Sequence, residues 1–268
     1  MQLARARSLP DLGVTRTGSR AAKIGAFAFE VWSRGIVDGG ARTPTERARE
    51  LSWVAENMVA LHGVRPSVRG VIPTQPSLLV ANHMSYFDPV VLSSLLPLTA
   101  VAKHEVGSWP LIGEQCKRFG VLWYERDNAL SGARVLREAM RCLERGVSVL
   151  VFPEGTTTEG ESVLPFKRGS FGAAQLAGVP IVPVALRYEH RGAAWVGDQA
   201  FLTHYVRAVS KRYTRVSVEF LPALTGSGAP HELAAEAHDA IERALQGGDQ
   251  RYASHVSRFA DVGTLASA

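Results

Sequence analysis

Apolar residues along this chain cluster in short runs separated by polar or Gly/Pro-rich breaks. Runs at 68–72, 77–81, 98–102, 120–124, 147–152, 181–187 and 215–221 have the length and bounding residues of strands. Between them the apolar positions return every three or four residues, which predicts helices at 89–96, 108–118, 129–145, 168–178 and 230–246. Strands that alternate with helices predict an α/β fold, a largely parallel mixed sheet of about seven strands with helices on both faces. The run 147–152 (VSVLVF) is almost wholly apolar, as expected of a strand covered on both sides.

Ahead of the first strand the pattern is helical. Thr43-Pro44-Thr45-Glu46 reads as a helix start, with Thr43 as N-cap and Pro44 in the first turn. Leu51, Val54, Met58 and Leu61 then share one face, and Gly63 stops the helix. Residues 1–22 lack periodicity and are expected to be loose. Ile24 to Trp32 (IGAFAFEVW) is a short amphipathic stretch in which Phe27, Phe29 and Trp32 could meet lipid; packing on the chain's own domain is the alternative. The expected organisation is a basic flexible arm with an amphipathic helical segment over 1–42, one domain over 43–248 and a frayed tail over 249–268.

Composition narrows the function classes. The chain has 268 residues, 46% of them apolar, and a net charge of +5. That suits one globular domain and favours anionic partners without choosing among them. Two cysteines, Cys116 and Cys142, are too few and wrongly spaced for a zinc site or a disulfide framework. No metal ligand set is expected. No run of eighteen apolar residues occurs, so no membrane-crossing helix is predicted.

Candidate chemistry sits at the strand ends. In Asn82-His83-Met84-Ser85-Tyr86-Phe87-Asp88 a histidine follows directly on a buried strand, where open α/β sheets place their sites. Its intrinsic pKa suits proton removal near neutrality. Asp88, five residues on, could fix one ring nitrogen and make the other more basic; its plainer role is to cap the following helix. Asn82 could brace the turn or touch substrate. A second strand end, Gly120 to Asp127, carries Arg126, suited to bidentate capture of phosphate or carboxylate, or else simply paired with Glu125 or Asp127. A third, Phe152-Pro153-Glu154-Gly155-Thr156-Thr157, offers a carboxylate and backbone N–H groups that could cradle an anion. Glu154 could orient Arg126 or bind a substrate hydroxyl, and Lys167, at the start of the next helix, could meet a phosphate. The fourth, Val179-Pro180-Ile181-Val182-Pro183, reads as an apolar pocket wall shaped by prolines at an edge, or as a core strand.

Four such blocks in this order and spacing resemble the glycerolipid acyltransferase family, whose type member is 1-acyl-glycerol-3-phosphate acyltransferase. The resemblance covers residues 48–225. It implies His83 as general base on an acceptor hydroxyl and Asp88 as its orienting partner. It implies an acceptor- and phosphate-binding role for Gly120, Arg126, Glu154, Gly155 and Thr156, and an acyl-donor or packing role for Pro183 and its neighbours Pro180 and Ile181. Two departures stand out. Thr157 occupies a position where many members carry a basic residue, and the membrane helix common before the domain is replaced by the short segment at 24–32.

The expected reaction moves a fatty acyl group from an acyl thioester, acyl-CoA or acyl carrier protein, to the hydroxyl of a lysophospholipid. No cofactor beyond that co-substrate is needed, and nucleic acid is not expected as a partner. The leading acceptor is 1-acyl-glycerol-3-phosphate, giving phosphatidic acid, at the cytoplasmic face of an anionic membrane. The alternatives are acylation of lyso-ornithine lipid, which the residue at 157 keeps open, a lipid hydrolase, and a non-catalytic lipid-binding protein on the same fold. Ser85 lacks the Gly-x-Ser-x-Gly context of a hydrolase nucleophile, so direct transfer is expected.

Overall fold

The computed structural model describes residues 12–37, 42–109, 112–125, 128–189, 205, 211–224 and 228–263. Its centre is a seven-stranded sheet: β1 (Val64–Arg69), β2 (Leu78–Ala81), β3 (Leu98–Lys103), β4 (Leu122–Tyr124), β5 (Ser148–Val151), β6 (Ile181–Tyr188) and β7 (Thr214–Phe220). Their spatial order is β1-β7-β6-β2-β5-β3-β4. Strands β6, β2, β5, β3 and β4 run parallel. β7 is antiparallel to β6, and β1 is parallel to β7, so two reversed strands complete one edge. The sheet is mixed and mostly parallel, as the alternation of elements predicts.

Strand periodicity sorts the core into two layers. Leu79 and Ala81 of β2 point to one face, where they join Val91, Leu92, Leu98 and Leu186 under helices α2 (Pro44–His62) and α3 (Phe87–Ser93). Leu78 and Val80 point to the other face. There they meet Val135, Ala139, Leu143, Phe171 and Ala237 on helices α5 (Ala129–Glu144), α6 (Gly169–Leu176) and α7 (Pro230–Gly263). The short helix α4 (Ile112–Arg118) leads into β4.

Helix α2 starts as its sequence says. The Thr43 hydroxyl accepts from Glu46 N at 3.3 Å, the Glu46 carboxylate accepts from Thr43 N at 2.8 Å, and Gly63 ends the helix at φ 67°. Five expectations are corrected. β1 begins at Val64, four residues before the predicted strand, and contains Pro66. An edge strand tolerates that proline. The predicted helix 108–118 is split into a 3-10 turn over His104–Ser108 and α4.

At the N-terminus, helix α1 spans Leu12–Val37, so residues 12–22, expected to be loose, are helical. Phe27 is not free to meet lipid. It is buried against Trp53 at a centroid distance of 5.5 Å, beside Val31 and Phe119. Arg20, Ile24, Phe27 and Val31 form the docking stripe, and glycines at 13, 18 and 25 diluted the pattern that would have revealed it. At the other end α7 continues to Gly263, through Gly247-Gly248 and the segment expected to be a tail. Each glycine costs a helix only about 1 kcal/mol, too little to stop one anchored by Leu233, Ala234, Ala237 and Ile241.

Candidate active site

The connection after β2 leads toward β3, and the connection after β5 leads to β6 on the other side of β2. These adjacent strands therefore form a topological switch point, whose carboxyl end is a natural crevice. The residues after β2 and β5 build the site there.

The turn after β2 is held by one carboxylate. Asp88 is fully buried, and its Oδ2 accepts from Nδ1 of His83 at 2.8 Å, from Met84 N at 2.7 Å and from Ser85 N at 2.8 Å. Its Oδ1 accepts from the Tyr188 hydroxyl at 2.6 Å. Asp88 thus lies inside the first turn of α3 and folds back on the motif; the N-cap of α3 is Tyr86. Four donors converge on this one buried carboxylate and fix its position. Burial and the adjacent Asp88 charge push the Tyr188 phenol well above its usual range, so it stays a donor.

With Nδ1–H committed to Asp88, the tautomer leaves Nε2 of His83 as the basic nitrogen. Among the described residues Nε2 has no hydrogen-bond partner, and the side chain keeps 20% of its surface open. The ring stacks on Phe152 at 4.0 Å between centroids and 17° between planes. It is therefore fixed on one nitrogen and one face and open at the other nitrogen.

Glu154 and Thr158, in the turn after β5, grip the backbone of the same histidine. Glu154 Oε1 accepts from His83 N at 2.7 Å, and its Oε2 accepts from Leu164 N at 3.0 Å. Thr158 N donates to His83 O at 2.8 Å. Glu154 is buried, which raises its pKa against the lowering effect of these hydrogen bonds. Each oxygen thus accepts from main chain, so this carboxylate braces the site. Gly155 has φ 73°, and a Cβ there would come within 2.8 Å of Lys167 Nζ. Lys167 thus lies across the turn with its ammonium at the crevice rim. Among the described residues the amides of Thr156 and Thr157 make no hydrogen bond.

Other residues singled out in the sequence lie elsewhere. Arg126 falls outside the described residues, as does most of the aromatic and basic link 188–214. Asn82 is buried and turns its amide to β6: Nδ2 donates to Leu186 O at 2.9 Å, and Oδ1 accepts from Leu186 N at 2.8 Å. It ties β2 to β6. Gly120, at φ 78°, turns α4 into β4 and accepts from the Thr99 hydroxyl at 2.8 Å. That is the amino end of the sheet, opposite the crevice.

The expected pocket wall is also displaced. Ile181 pairs with Leu78, at the start of β2, and bridges to Leu224; Pro180 accepts from Leu78 N. Both belong to the far end of the core. Pro183 sits inside the ladder opposite Val80, in an internal strand, contrary to the edge position expected. Its carbonyl accepts from Leu221 N just past the end of β7. Its nitrogen faces that same side, where no ladder donor is needed.

Sequence reasoning missed Tyr188 and Thr158. Neither is near His83 in sequence, and only the placement of β6 beside β2 brings the tyrosine to Asp88. Among the described residues one group could offer metal ligands, His238, Asp239 and Glu242, with ligand atoms within 4.8 Å. Its imidazole is already engaged by Val163 O at 3.0 Å and Asp239 at 3.2 Å.

Comparison with known proteins gives the family of the chain. An acyltransferase family model matches residues 63–187. The chain is 36% identical over 217 residues to the lyso-ornithine lipid O-acyltransferase of Pseudomonas aeruginosa, spanning 78% of this chain and 83% of that protein. It is 31% identical over 195 residues to the 1-acyl-sn-glycerol-3-phosphate acyltransferase of Neisseria gonorrhoeae, spanning 70% and 75%. Its fold superposes on the crystal structure of the 1-acyl-sn-glycerophosphate (LPA) acyltransferase PlsC from Thermotoga maritima with a TM-score of 0.59. That match has 20% identity and covers 87% of this chain and 98% of that one. The chain belongs to the lysophospholipid acyltransferase family and is an O-acyltransferase.

Proposed function

We propose that this protein moves a fatty acyl group from an acyl thioester to the free hydroxyl of a lysolipid, with His83 as general base. The observation that carries this reading is the 2.8 Å contact between His83 Nδ1 and a fully buried Asp88, with Nε2 left open at the crevice. An alcohol is a poor nucleophile at neutral pH. Nε2 takes its proton as the oxygen attacks the thioester carbonyl, help worth about 10²–10⁴-fold. The carbon–oxygen bond forms, the carbon–sulfur bond breaks, and the proton passes on to the leaving thiolate. The amides of Thr156 and Thr157 are the candidate donors to the oxyanion. Lys167 at the rim, with Arg126, would hold an anionic head group and make the attack effectively intramolecular. Ser85 is fully buried and its Oγ accepts from Phe87 N at 3.3 Å, which supports direct transfer without an acyl-serine.

Two acceptors follow from specific observations. The four motif blocks point to 1-acyl-glycerol-3-phosphate. Thr157 in place of a basic residue, together with the 36% identity to a lyso-ornithine lipid O-acyltransferase, favours a lyso-aminolipid. Purified protein given palmitoyl thioester and both lysolipids, with products identified by mass spectrometry, decides between them. Free fatty acid released without an acceptor would indicate a hydrolase. Lysolipid binding with no turnover, unchanged in His83→Ala, would indicate a binding protein. A trapped acyl-Ser85 would contradict direct transfer.

Peripheral attachment to an anionic membrane, on its cytoplasmic side, is part of this proposal. Among the described residues no helix is long and apolar enough to cross a membrane. The outward stripe of α1 is uncharged: Gly18, Ala22, Gly25, Phe29 and Trp32 are exposed, with Phe29 66% and Trp32 47% exposed. Apolar aromatics on a helix that already has its packing face buried suit the lipid interface. Vesicle binding should fall on deleting residues 1–40 and on changing Phe29 and Trp32 to Asp. Unchanged binding by both variants would remove α1 from the account.

A further inference from the structure

Helix α5 buries Val135, Ala139 and Leu143 against the sheet. Its opposite face is a row of arginines. Residues 130, 134, 137, 141 and 145 recur every three or four positions and so lie on one line. They are Leu130, 83% exposed, followed by the exposed Arg134, Arg137 and Arg141 and the exposed C-cap Arg145. Arg134 is paired with Glu138 at 3.2 Å. Arg137 and Arg141 have no acidic partner within ion-pair distance among the described residues. Arg134 gains from its pair with Glu138, and Arg141 and Arg145 gain from the helix dipole, but like charges three and four residues apart repel, and Arg137 has neither support. The row is arranged for something outside the chain.

Geometry narrows what that is. The row from Arg134 to Arg145 is a convex ridge about 16 Å long at 1.5 Å per residue. An acidic helix laid alongside could match its spacing. Nor is it placed for the membrane contact proposed above. α1 packs outside α2 on one face of the sheet, and α5 covers the other face. The apolar outer stripe of α1 and the arginine ridge of α5 therefore look away from each other. Finally, α5 begins at Asn128, directly after β4, at the same carboxyl end of the sheet as His83. Three strand spacings separate β4 from β2, roughly 14 Å, a span for a flexible thioester arm.

We propose that this ridge docks an acidic acyl carrier protein, which presents the acyl thioester to His83 from the side away from the membrane. Leu130 supplies the apolar contact at the active-site end, and Arg137 and Arg141 supply the charge. The proposal rests on the acyl-transfer reading for its consequence but not for its binding test. The carrier arrives as an acyl thioester and leaves as a free thiol, its sulfur having taken the acceptor's proton by way of His83.

The test compares the full chain with Arg137→Glu/Arg141→Glu and the milder Arg137→Ala/Arg141→Ala, each first checked for an unchanged melting temperature. Binding of labelled acyl carrier protein, read by fluorescence anisotropy, requires no turnover. The wild type should bind it, more weakly as salt rises. The Glu variant should bind at least tenfold more weakly, and the Ala variant about threefold. In turnover assays KM for palmitoyl carrier protein should rise at least tenfold in the Glu variant with kcat unchanged, while palmitoyl-coenzyme A kinetics stay within twofold. Absence of carrier binding by the wild type, or binding within twofold of it in both variants, would overturn the proposal. So would an equal loss with palmitoyl-coenzyme A, or the loss of sedimentation with phosphatidylglycerol vesicles. If no donor is turned over, the acyl-transfer reading falls and the anisotropy result still decides this one.

Discussion

Strands β2 and β5 are neighbours in the sheet, each is four residues long and wholly buried, and each ends in a turn with an ionisable side chain. The two turns do different things. After β2, His83 commits one nitrogen to Asp88 and leaves the other at the crevice. After β5, Glu154 commits both oxygens to backbone N–H groups, one of them that of His83 itself. On the proposed mechanism the open lone pair of His83 acts on substrate, while Glu154, with a main-chain N–H on each oxygen, belongs to the scaffold that holds it. Sequence position alone would have made both reactive.

This contrast can be broken in graded steps. Asp88→Asn should have the largest effect, about 10²–10⁴-fold in kcat, because the amide cannot hold the same tautomer while accepting from two main-chain N–H groups. Steady-state kinetics on folded protein checks this. Glu154→Gln should act through stability as well. Its amide group sets a donor against a buried N–H, costing about 1–3 kcal/mol in denaturant unfolding, and turnover should fall with it. Were Glu154 a substrate ligand instead, KM would rise with stability unchanged.

Tyr188→Phe should have a smaller effect. It leaves Asp88 Oδ1 without its donor and concentrates charge beside His83. We expect roughly a tenfold loss of kcat with KM unchanged, on the scale of one lost hydrogen bond to a charged group. A fall in melting temperature with kcat unchanged would make Tyr188 merely structural. Ser85→Ala should stay within a few fold of wild type, since its hydroxyl contacts Phe87 N and the Tyr188 hydroxyl and not the reacting atoms.

The smallest effect concerns pH and stability. His62 is buried, its Nδ1 donates to Met58 O at 2.7 Å, and its Nε2 accepts from the Tyr205 hydroxyl at 2.7 Å. Burial lowers its pKa below the ordinary 6.5. Between the lowered folded value and 6.5 the unfolded chain binds more protons, so stability is full above 6.5 and declines as pH falls through the folded value. Thermal melts from pH 8 to 5 should show that decline in the wild type and a flatter curve in His62→Gln.

The strand and helix pattern, the α2 caps and the His83/Asp88 pairing were legible because each is local. Buried β2 and β5 declare themselves by unbroken apolar runs, and a five-residue spacing can close a hydrogen bond within one turn. Strand order is not local. Nothing in the run 181–187 says that the next residue, Tyr188, will lie beside Asp88, or that Pro183 will occupy an internal ladder position whose nitrogen faces past the end of β7. The same gap explains Asn82, Gly120 and Ile181. Their residue types suit a site, but partners from distant segments commit the first two to the framework and the third to the core.

The most direct measurement is single-turnover acyl transfer by His83→Ala beside the wild type, with circular dichroism and melting temperature matched. If Nε2 of His83 removes the acceptor proton, the transfer step slows by about 10²–10⁴-fold while the lysolipid dissociation constant stays within a few fold. Transfer at an undiminished rate by a folded His83→Ala protein would contradict the account.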